Sequence, residues 1–309
     1  MKKKIIIIIL LLALVGLAGF FIFEKSSQSL PNYNIESGKM MVATSFYPLY
    51  FFTSQIGGDL VDVFNLTPAG SEPHEYELTS GDMIKIKKSR MLVLNGGLEV
   101  WADDVKENIK DDNIFVLTAG DGLLDNSQNE FGETVKDPHI WLSPSLAIKI
   151  SEKIYKGLVQ VDPKNQNYYE SNLDILKTKL NNLENEFSQG LANCRKKEFV
   201  TSHKAFAYLA KEFGLYQMSI AGLSTEEEPS LKQMAEIAQF VRDNDIKYIF
   251  FESLGNTELT QTIANETGAQ ALVLNPIEGL TDSELSQGKD YFSEMRANLE
   301  NLKLALECE

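Results

Sequence analysis

Short apolar segments alternate with helix-like segments along the chain from Met40 onward. The short segments have the length and composition of strands, whereas the longer ones carry apolar residues at the spacing of a helix face. Strands that alternate with helices in this way form parallel sheets covered by helices. The sequence therefore predicts an α/β fold with parallel sheets.

Candidate strands fall into two groups, one in each half of the chain. They cover residues 41–44, 61–66, 91–94 and 114–117 in the first half, and residues 198–201, 217–220, 248–252 and 271–274 in the second. Helix signals lie between them. Ser143 and Pro144 supply an N-cap and a first-turn proline, and Gly214 ends an apolar helix face over residues 206–213. A further helix face covers residues 231–241. The two halves are thus predicted to share an architecture, although no sequence repeat relates them.

One helical pattern between the two halves is unusually long. Asp162 and Pro163 are its expected N-cap and first turn, and the pattern ends near Gly190. Its apolar residues recur at helical spacing: Tyr169, Leu173, Leu176, Leu180, Leu183 and Phe187. At about 1.5 Å per residue the helix covers roughly 40 Å, more than one small lobe needs. We expect it to brace two lobes at a fixed separation, and the alternative is a long core helix of the second domain.

These patterns divide the chain into two Rossmann-like lobes joined by one long, rigid backbone helix. The predicted boundaries are residues 39–160 for the N-terminal lobe, 161–192 for the linking helix and 193–309 for the C-terminal lobe. Ligands of open parallel sheets bind beyond the carboxyl ends of the strands. A site is therefore expected in the cleft between the lobes.

Residues 1–24 are typical of a membrane segment. Lys2, Lys3 and Lys4 precede an uncharged apolar run over residues 5–23, which at about 1.5 Å per residue covers about 28 Å of hydrocarbon core. The lysines should stay in the cytoplasm, which places the rest of the chain outside it. We expect an uncleaved signal anchor, with a cleaved signal peptide as the alternative, because the run is not followed by a small-residue cleavage site. Residues 25–38 are the expected tether, and no cysteine follows the run that would carry a lipid.

The charge of the chain argues against a nucleic-acid partner. Its 44 acidic and 29 basic residues give a formal charge of -15, whereas phosphate contacts require clusters of lysine and arginine. The acidic, polar segment over residues 119–136 is expected to be a surface loop, and it holds no histidine. The sequence also lacks an HExxH helix, a Gly-x-Ser-x-Gly elbow and a phosphate loop. These features argue against nucleic-acid binding and against several common hydrolase classes.

All three histidines of the chain stand at junctions between strands and helices. His74 follows the second predicted strand, His139 directly precedes the capped helix, and His203 follows the first strand of the second half. A single histidine is more often a surface or core residue, but three at such junctions are predicted to meet in one cleft. The helix that follows His203 should keep this imidazole neutral. Neutral imidazoles bind zinc, copper, iron or nickel, and suit magnesium and calcium poorly.

A carboxylate should complete this set of ligands. Glu278 lies in the loop after the last predicted strand, and three imidazoles with one carboxylate form a closed tetrahedron for Zn²⁺. Glu252 ends the preceding strand and is the reserve candidate, although a supporting role that orients an imidazole N–H suits it better. Glu72 is the second candidate for such a supporting role.

Six stretches of the sequence resemble the metal-specific solute-binding proteins of bacterial ABC transporters for zinc and manganese. They run in order through residues 40–309, and together they are highly specific. The stretches are residues 44–49, 70–77, 95–101, 137–144, 201–203 and 274–278. The resemblance therefore extends over both predicted lobes.

This resemblance implies two α/β lobes joined by a rigid helix, with one metal ion between them. It carries over His74, His139, His203 and Glu278 as the ligands, and it implies Zn²⁺ rather than Mn²⁺, because manganese members tend to replace one histidine by a carboxylate. It implies capture of Zn²⁺ outside the cytoplasmic membrane and delivery to an ABC permease, by a monomer that catalyses no reaction. Many zinc members carry a histidine-rich loop where residues 119–136 lie, and Gram-positive members are commonly lipoproteins with a lipid-bearing cysteine. This chain departs from both patterns.

Two other functions are compatible with the same residues. A zinc hydrolase would use the three histidines as ligands and Glu278 or Glu72 as the general base, and it would keep an open coordination position for water. A surface adhesin with a structural metal is compatible with the membrane anchor. The occupant of the fourth coordination position distinguishes the hydrolase, and the effect of zinc removal on partner binding distinguishes the adhesin.

The two cysteines are expected to form a disulfide. Cys194 precedes the first strand of the second half, and Cys308 is the penultimate residue. An oxidising compartment and the lack of any other cysteine favour pairing, with two free buried thiols as the alternative. The bond would join the end of the chain to the C-terminal lobe.

Overall fold

The computed structural model describes residues 38–128, 134–223, 229–254 and 258–309. The expected signal segment over residues 1–24 and nearly all of the expected tether lie outside these ranges. Residues Lys39–Glu309 form one compact unit. Within the described ranges, no helix combines the length and the apolar character that a membrane span requires.

The N-terminal lobe contains a four-stranded parallel sheet. Strands β1 to β4 are Met40–Thr44, Val61–Asn65, Met91–Leu94 and Phe115–Thr118, and their order in the sheet is β2-β1-β3-β4. Strand β1 lies inside the sheet, where Val42 pairs with Val63 of β2 and with Met91 of β3. The helices of this lobe are α1 Tyr47–Gly57, α2 Ser80–Lys88, α3 Ala102–Asn108 and α4 Pro144–Val161. Helix α4 begins as predicted, because Ser143 Oγ accepts a hydrogen bond from Leu146 N at 3.2 Å.

A short antiparallel hairpin follows the first sheet. Strand β5 (Asn126–Gln128) pairs with β6 (Thr134–Lys136), with Ser127 opposite Val135. The prediction of a surface loop over residues 119–136 is therefore wrong for these two strands. Their residues are mostly polar and too few to show an alternating pattern, so periodicity carries no strand signal here.

The linking helix α5 spans Gln166–Gly190, and its 25 residues make it about 37 Å long. It begins later than predicted, because Pro163–Asn165 form a 3-10 turn and Asp162 caps that turn instead of the α-helix. The six apolar residues predicted along one face are all buried. They lie on a helix that packs against α1 and α4 of the N-terminal lobe and against the last helix, Tyr291–Ala305. Helix α5 thus contacts both lobes, as expected of a brace.

The C-terminal lobe repeats the topology of the first. Strands β7 to β10 are Glu198–Thr201, Tyr216–Ser219, Tyr248–Phe251 and Gln270–Val273, and their order in a second parallel sheet is β8-β7-β9-β10. The helices are α6 Ala207–Phe213, α7 Leu231–Asp243, α8 Glu258–Thr267, α9 Asp282–Ser286 and α10 Tyr291–Ala305. In both sheets the first strand lies between the second and the third, and the fourth follows the third. The predicted pair of α/β lobes is therefore confirmed.

Both sheets are buried on two faces. Neighbouring residues of β1 belong to different apolar clusters, Val42 to the large core and Ala43 to a smaller cluster on the other face. Strand β7 shows the same division, because Phe199 belongs to the large core and Val200 belongs to a separate cluster of the C-terminal lobe. The large core also includes Leu180 of α5. Continuous apolar packing therefore joins the two lobes and the linking helix.

Cys194 and Cys308 form a disulfide across 114 residues of sequence, which confirms the predicted pairing. Next to the bond, the Glu307 carboxylate lies 3.1 Å from Arg195 Nη1 and 2.6 Å from Lys247 Nζ. The end of the chain is therefore joined to the C-terminal lobe by a covalent bond and by ion pairs.

Candidate metal centre

The four side chains predicted as metal ligands meet at the carboxyl ends of the strands. His74 lies in the loop between β2 and α2, and His139 directly precedes the 3-10 turn Ile140–Leu142 that leads to α4. His203 follows β7 by two residues, and Glu278 follows β10 by five. Each lobe contributes two side chains, and one potential ligand atom from each lies within 4.8 Å of all the others.

One carboxylate oxygen faces all three imidazoles. Glu278 Oε1 lies 3.3 Å from His74 Nε2 and 3.2 Å from His139 Nε2. It lies 3.5 Å from His203 Nε2. The Nε2 atoms of His139 and His203 are 3.3 Å apart. Every imidazole therefore directs its Nε2 atom into the cluster and leaves Nδ1 for other partners.

These separations fit the edges of a zinc tetrahedron. Bonds of about 2.0–2.1 Å from Zn²⁺ to nitrogen and oxygen place tetrahedral ligand atoms about 3.3–3.4 Å apart. Four of the six separations between the Nε2 atoms and Glu278 Oε1 are 3.2, 3.3, 3.3 and 3.5 Å, and the other two are within 4.8 Å. Magnesium and calcium prefer six or more oxygen ligands, so this donor set suits a transition metal instead.

The cluster is largely closed to solvent. His139 and His203 are fully buried, and Glu278 is 2% exposed. The His74 side chain is 11% exposed and is the most accessible of the four. Because burial lowers the local dielectric, the cluster interacts with a cation more strongly than it would at the surface.

The His139 ring is oriented by a carboxylate two residues earlier in the same loop. Asp137 Oδ1 accepts hydrogen bonds from His139 Nδ1 at 2.9 Å and from the His139 backbone N–H at 3.0 Å. The Asp137 carbonyl accepts a hydrogen bond from Tyr208 Oη of the C-terminal lobe at 2.9 Å. A proton on Nδ1 leaves the Nε2 lone pair free for a metal. Sequence reasoning did not single out Asp137, although its carboxylate-Pro-His pattern also occurs at Glu72 and was a usable signal.

The partner of the His203 ring comes from a neighbouring strand. Glu252, directly after β9, accepts hydrogen bonds from His203 Nδ1 and Ser202 Oγ. Strand β7 pairs with β9 through Val200 and Ile249, and this pairing brings Glu252 beside His203. The cluster of potential ligand atoms contains Glu278 and not Glu252. The structure thus puts Glu252 behind an imidazole instead of inside the cluster.

Glu72 lies close to the cluster but contacts backbone. Its Oε1 accepts a hydrogen bond from the His74 backbone N–H at 3.3 Å, and among the described residues Glu72 makes no hydrogen bond with the His74 ring. Burial, followed by repulsion from the Glu278 carboxylate, raises the pKa of Glu72 to about 8. Glu72 therefore differs from Asp137, although the two occupy the same position in their tripeptides.

Nearby carboxylates favour protonated imidazoles in the absence of a metal. Burial lowers the pKa of His139, but hydrogen bonds with Asp137 and Glu278 outweigh this effect and raise the pKa above its usual value. Burial opposes protonation of His203 as well, yet Glu252 and Glu278 raise its pKa well above the usual value. A metal ion that enters the cluster must displace these protons.

The expectation that a helix N-terminus keeps His203 neutral is therefore wrong. Helix α6 begins only at Ala207, so its positive end lies beyond the ring, while two carboxylates contact the imidazole directly. The pKa of Glu278 shifts in the opposite direction. Burial raises the pKa of Glu278, but hydrogen bonds from the three imidazoles hold it well below its usual range.

The segment after His139 contacts the segment before Glu278. Trp141 Nε1 donates a hydrogen bond to the Pro276 carbonyl at 2.7 Å, and Tyr291 Oη donates one to the Trp141 carbonyl at 2.6 Å. Trp141 and Tyr291 are fully buried. Sequence reasoning did not identify this contact, because nothing in the sequence relates two residues 135 positions apart.

Comparison with known proteins identifies the family of the chain. The family model described as zinc-uptake complex component A, periplasmic (ZnuA) matches residues 42–305. The match includes all four residues of the cluster and the cysteine at position 194, and it ends just before the second cysteine.

Individual relatives agree with the family match. The zinc-binding protein AdcA of Streptococcus pyogenes serotype M1 is 34% identical over 325 aligned residues, which cover 98% of this chain but only 62% of that protein. The high-affinity zinc uptake system protein ZnuA of Bacillus subtilis (strain 168) is 37% identical over 280 residues, which cover 87% of this chain and 88% of the relative. A mutant structure of the laminin-binding adhesin Lmb from Streptococcus agalactiae has a TM-score of 0.79 and 38% identity, and the match covers 86% of this chain and 99% of that one. The chain therefore belongs to the ZnuA family of zinc-uptake complex component A.

Proposed function

We propose that this protein captures one Zn²⁺ ion outside the cytoplasmic membrane and delivers it to the permease of an ABC transporter. The ion is cargo, and its ligands are His74, His139, His203 and Glu278. The description of the family as a zinc-uptake component supports this proposal, as do the names of relatives that bind zinc or take it up.

The observation that carries the proposal is the geometry of the four ligand atoms. Glu278 Oε1 lies 3.2–3.5 Å from the three imidazole nitrogens, and the His139 and His203 nitrogens are 3.3 Å apart, which matches edges of a zinc tetrahedron. Three nitrogen ligands favour Zn²⁺ over Mn²⁺, because zinc lies higher in the affinity series and manganese prefers oxygen. The preferred cargo is therefore Zn²⁺.

The same geometry favours binding over hydrolysis. A catalytic zinc keeps one coordination position open for water. Glu278 Oε1 faces every imidazole Nε2 at 3.5 Å or less and takes the place that such a water would need. Glu72, the other base considered for a hydrolase, contacts the His74 backbone. The protein is accordingly proposed to bind its ion without catalysing a reaction.

The rest of the proposal concerns location and assembly. The folded lobes over residues 39–160 and 193–309, with the linking segment 161–192 between them, act outside the cytoplasmic membrane as a monomer, and residues 5–23 tether them to it. The periplasmic description of the family supports the extracytoplasmic location. The lobes hold the ion between them, and the permease receives it.

Metal analysis of the protein tests the cargo directly. Protein purified without added metal should contain one zinc per chain, and a competition titration with Mn²⁺ should leave the zinc in place. Equal retention of Mn²⁺ would refute the preference for zinc. Binding of neither metal would refute the function itself.

Zinc accumulation in cells tests delivery. Cells that depend on this protein should lose most of their zinc uptake when Glu278→Gln replaces the wild type. Glu236→Gln is a matched control, because Glu236 is exposed on α7 and pairs only with Lys232 at 3.5 Å among the described contacts. If Glu278→Gln sustains uptake as well as Glu236→Gln does, the proposed ligand role of Glu278 is wrong.

Adhesion is distinguished by a separate measurement. The structural neighbour from Streptococcus agalactiae is named as a laminin-binding adhesin. Binding of this chain to immobilised laminin is measured with and without zinc, and saturable binding that is unchanged by zinc removal would support the adhesin alternative.

A further inference from the structure

Ile277, the residue before Glu278, has a backbone conformation that its side chain disfavours. Its φ is +56°, and it is one of three non-glycine residues with positive φ in the described part of the chain. A β-branched side chain rarely adopts this left-handed region, because Cβ crowds the backbone. The Ile277 side chain is fully buried. Contacts from the surrounding structure must therefore hold the loop in this shape.

Contacts within the C-terminal lobe hold the beginning of the loop. The side chain of Asn298 on α10 accepts a hydrogen bond from Asn275 N at 2.8 Å and donates one to Asn275 O at 2.6 Å. Asn275 Nδ2 donates to Glu294 Oε2 at 3.0 Å. Asn275 Oδ1 in turn accepts a hydrogen bond from Ile277 N at 2.8 Å. Helix α10 thus holds Asn275, and Asn275 holds one end of the Pro276–Ile277 peptide group.

The other end of the same peptide group is held from the N-terminal lobe. The Pro276 carbonyl accepts the indole N–H of Trp141 at 2.7 Å. The orientation of this peptide group sets the φ angle of Ile277, so two hydrogen bonds from opposite lobes restrain that angle. One of them disappears if Trp141 loses its N–H.

Trp141 itself has a fixed place beside an expected ligand. It follows His139 by two residues, and the centroids of their rings are 5.2 Å apart. Its ring contacts the Phe46 ring edge-on, with the ring centroids 4.7 Å apart, and its carbonyl accepts the hydrogen bond from Tyr291 Oη. These contacts therefore fix the position of the indole N–H relative to His139.

We infer that Trp141 is a positioning residue for the metal centre: its indole N–H restrains the Pro276–Ile277 peptide group and thereby holds Glu278 Oε1 opposite the three imidazoles. The inference rests on the proposed function, because it concerns the binding of the same ion. Without the indole donor, the peptide group rotates, Ile277 relaxes toward an extended conformation and Glu278 moves out of the cluster. The ion then keeps three imidazoles and takes two or more water molecules in place of the carboxylate, so its coordination number rises above four.

Trp141→Phe tests this inference, because phenylalanine keeps an aromatic ring and lacks the N–H. Trp101→Phe is the matched control, since Trp101 is the only other tryptophan of the chain and lies at the start of α3, outside the cluster. Co²⁺ is the spectroscopic probe, because four-coordinate Co²⁺ absorbs visible light much more strongly than five- or six-coordinate Co²⁺. Zinc affinity is measured in parallel by competition with a chelator.

Trp141→Phe should lose the strong four-coordinate Co²⁺ absorption and bind zinc about tenfold more weakly or worse. Trp101→Phe should match the wild type in both measurements. If Trp141→Phe does not fold, Tyr291→Phe removes the hydroxyl that holds the Trp141 carbonyl and should shift the spectrum in the same direction by a smaller amount. An unchanged spectrum and affinity in the folded variant overturn the inference while the wild type still binds zinc. Failure of the wild type to bind either metal overturns the proposed function instead.

Discussion

The two lobes share one strand order but support their buried imidazoles in different ways. In the N-terminal lobe the carboxylate behind His139 is Asp137, two residues earlier in the same loop. In the C-terminal lobe the carboxylate behind His203 is Glu252, 49 residues away in sequence and brought close by the pairing of β7 with β9. The same support is thus local in one lobe and long-range in the other. A local support can be recognised as a sequence motif, whereas a long-range one requires the sheet order.

The lobes also differ in how firmly they are closed. The C-terminal lobe contributes two almost fully buried side chains, His203 and Glu278, and a disulfide closes it. The N-terminal lobe contributes the fully buried His139 and the partly exposed His74, and it contains no cysteine. We therefore expect the C-terminal half of the site to tolerate change less well.

The largest expected effect is the loss of folding stability on removal of the disulfide, a bond that only the C-terminal lobe has. Replacing Cys194 and Cys308 by serine opens a covalent loop of 114 residues and should lower the free energy of unfolding by about 2–4 kcal/mol, chiefly through the entropy of the unfolded chain. Denaturant unfolding of the metal-free protein, followed by circular dichroism, measures this change. A reductant should destabilise the wild type and leave the double variant unaffected. Equal unfolding midpoints for the two proteins would contradict the prediction.

The second prediction compares one ligand from each lobe. Glu278→Gln removes the only anion of the cluster and should weaken zinc binding by more than about 100-fold, beyond what changes behind the ligands cost. His74→Ala should cost less, because water can reach the position of this partly exposed side chain. Isothermal titration with a competing chelator measures both, and Glu236→Gln serves as the exposed control. A larger loss for His74→Ala would reverse the proposed difference between the lobes.

The third prediction compares the two carboxylates behind the imidazoles. Asp137→Asn and Glu252→Gln should each weaken zinc binding by about 10–100-fold, because each carboxylate orients an Nδ1–H and raises the basicity of its ring. Glu72→Gln is the control, since Glu72 contacts only the His74 backbone among the described hydrogen bonds. Zinc titrations at one pH are sufficient. If Glu72→Gln costs as much as the other two, the distinction between ring support and backbone contact fails.

The smallest predicted effect is the protonation of the two buried imidazoles, His139 of the N-terminal lobe and His203 of the C-terminal lobe. In the metal-free protein both imidazoles have raised pKa values, with His203 well above the usual range. Their contribution to folding stability is therefore full below about pH 6.5 and is lost as the pH rises through the raised values. Zinc must displace these protons, so its affinity should rise with pH over the same range, by about tenfold per unit for each proton displaced. Imidazole NMR resonances should show both rings titrating above the usual range of histidine, and titration within or below that range would contradict the prediction.

Much of the fold could be predicted, because it depends on local pattern. Buried parallel strands are short apolar runs, and all eight predicted strands of the two sheets lie within one residue of their observed spans. The hairpin of β5 and β6 was missed, since polar edge strands such as Asn126–Gln128 lack that pattern. The start of α5 was placed too early, because Asp162 and Pro163 are equally good signals for a 3-10 turn.

The candidate site was predictable where single residues stand at strand ends. The three histidines and Glu278 could be found in this way, and the structure brings them together. Their supports were harder to find. Glu252 could be proposed only as one of two alternatives, and Trp141 could not be found, because its contact with Pro276 depends on how the lobes meet. The carboxylate-Pro-His motif of Asp137 is visible in the sequence, but the same motif at Glu72 leads only to a backbone contact.

The disulfide makes the C-terminal lobe a covalent ring. The chain between Cys194 and Cys308 contains both His203 and Glu278. A protease that cuts the backbone once within this ring produces two fragments that remain one molecule until the disulfide is reduced. In an extracellular environment rich in proteases, the half of the site that belongs to the C-terminal lobe is thus protected against dissociation after a single cut. The half that belongs to the N-terminal lobe has no such protection.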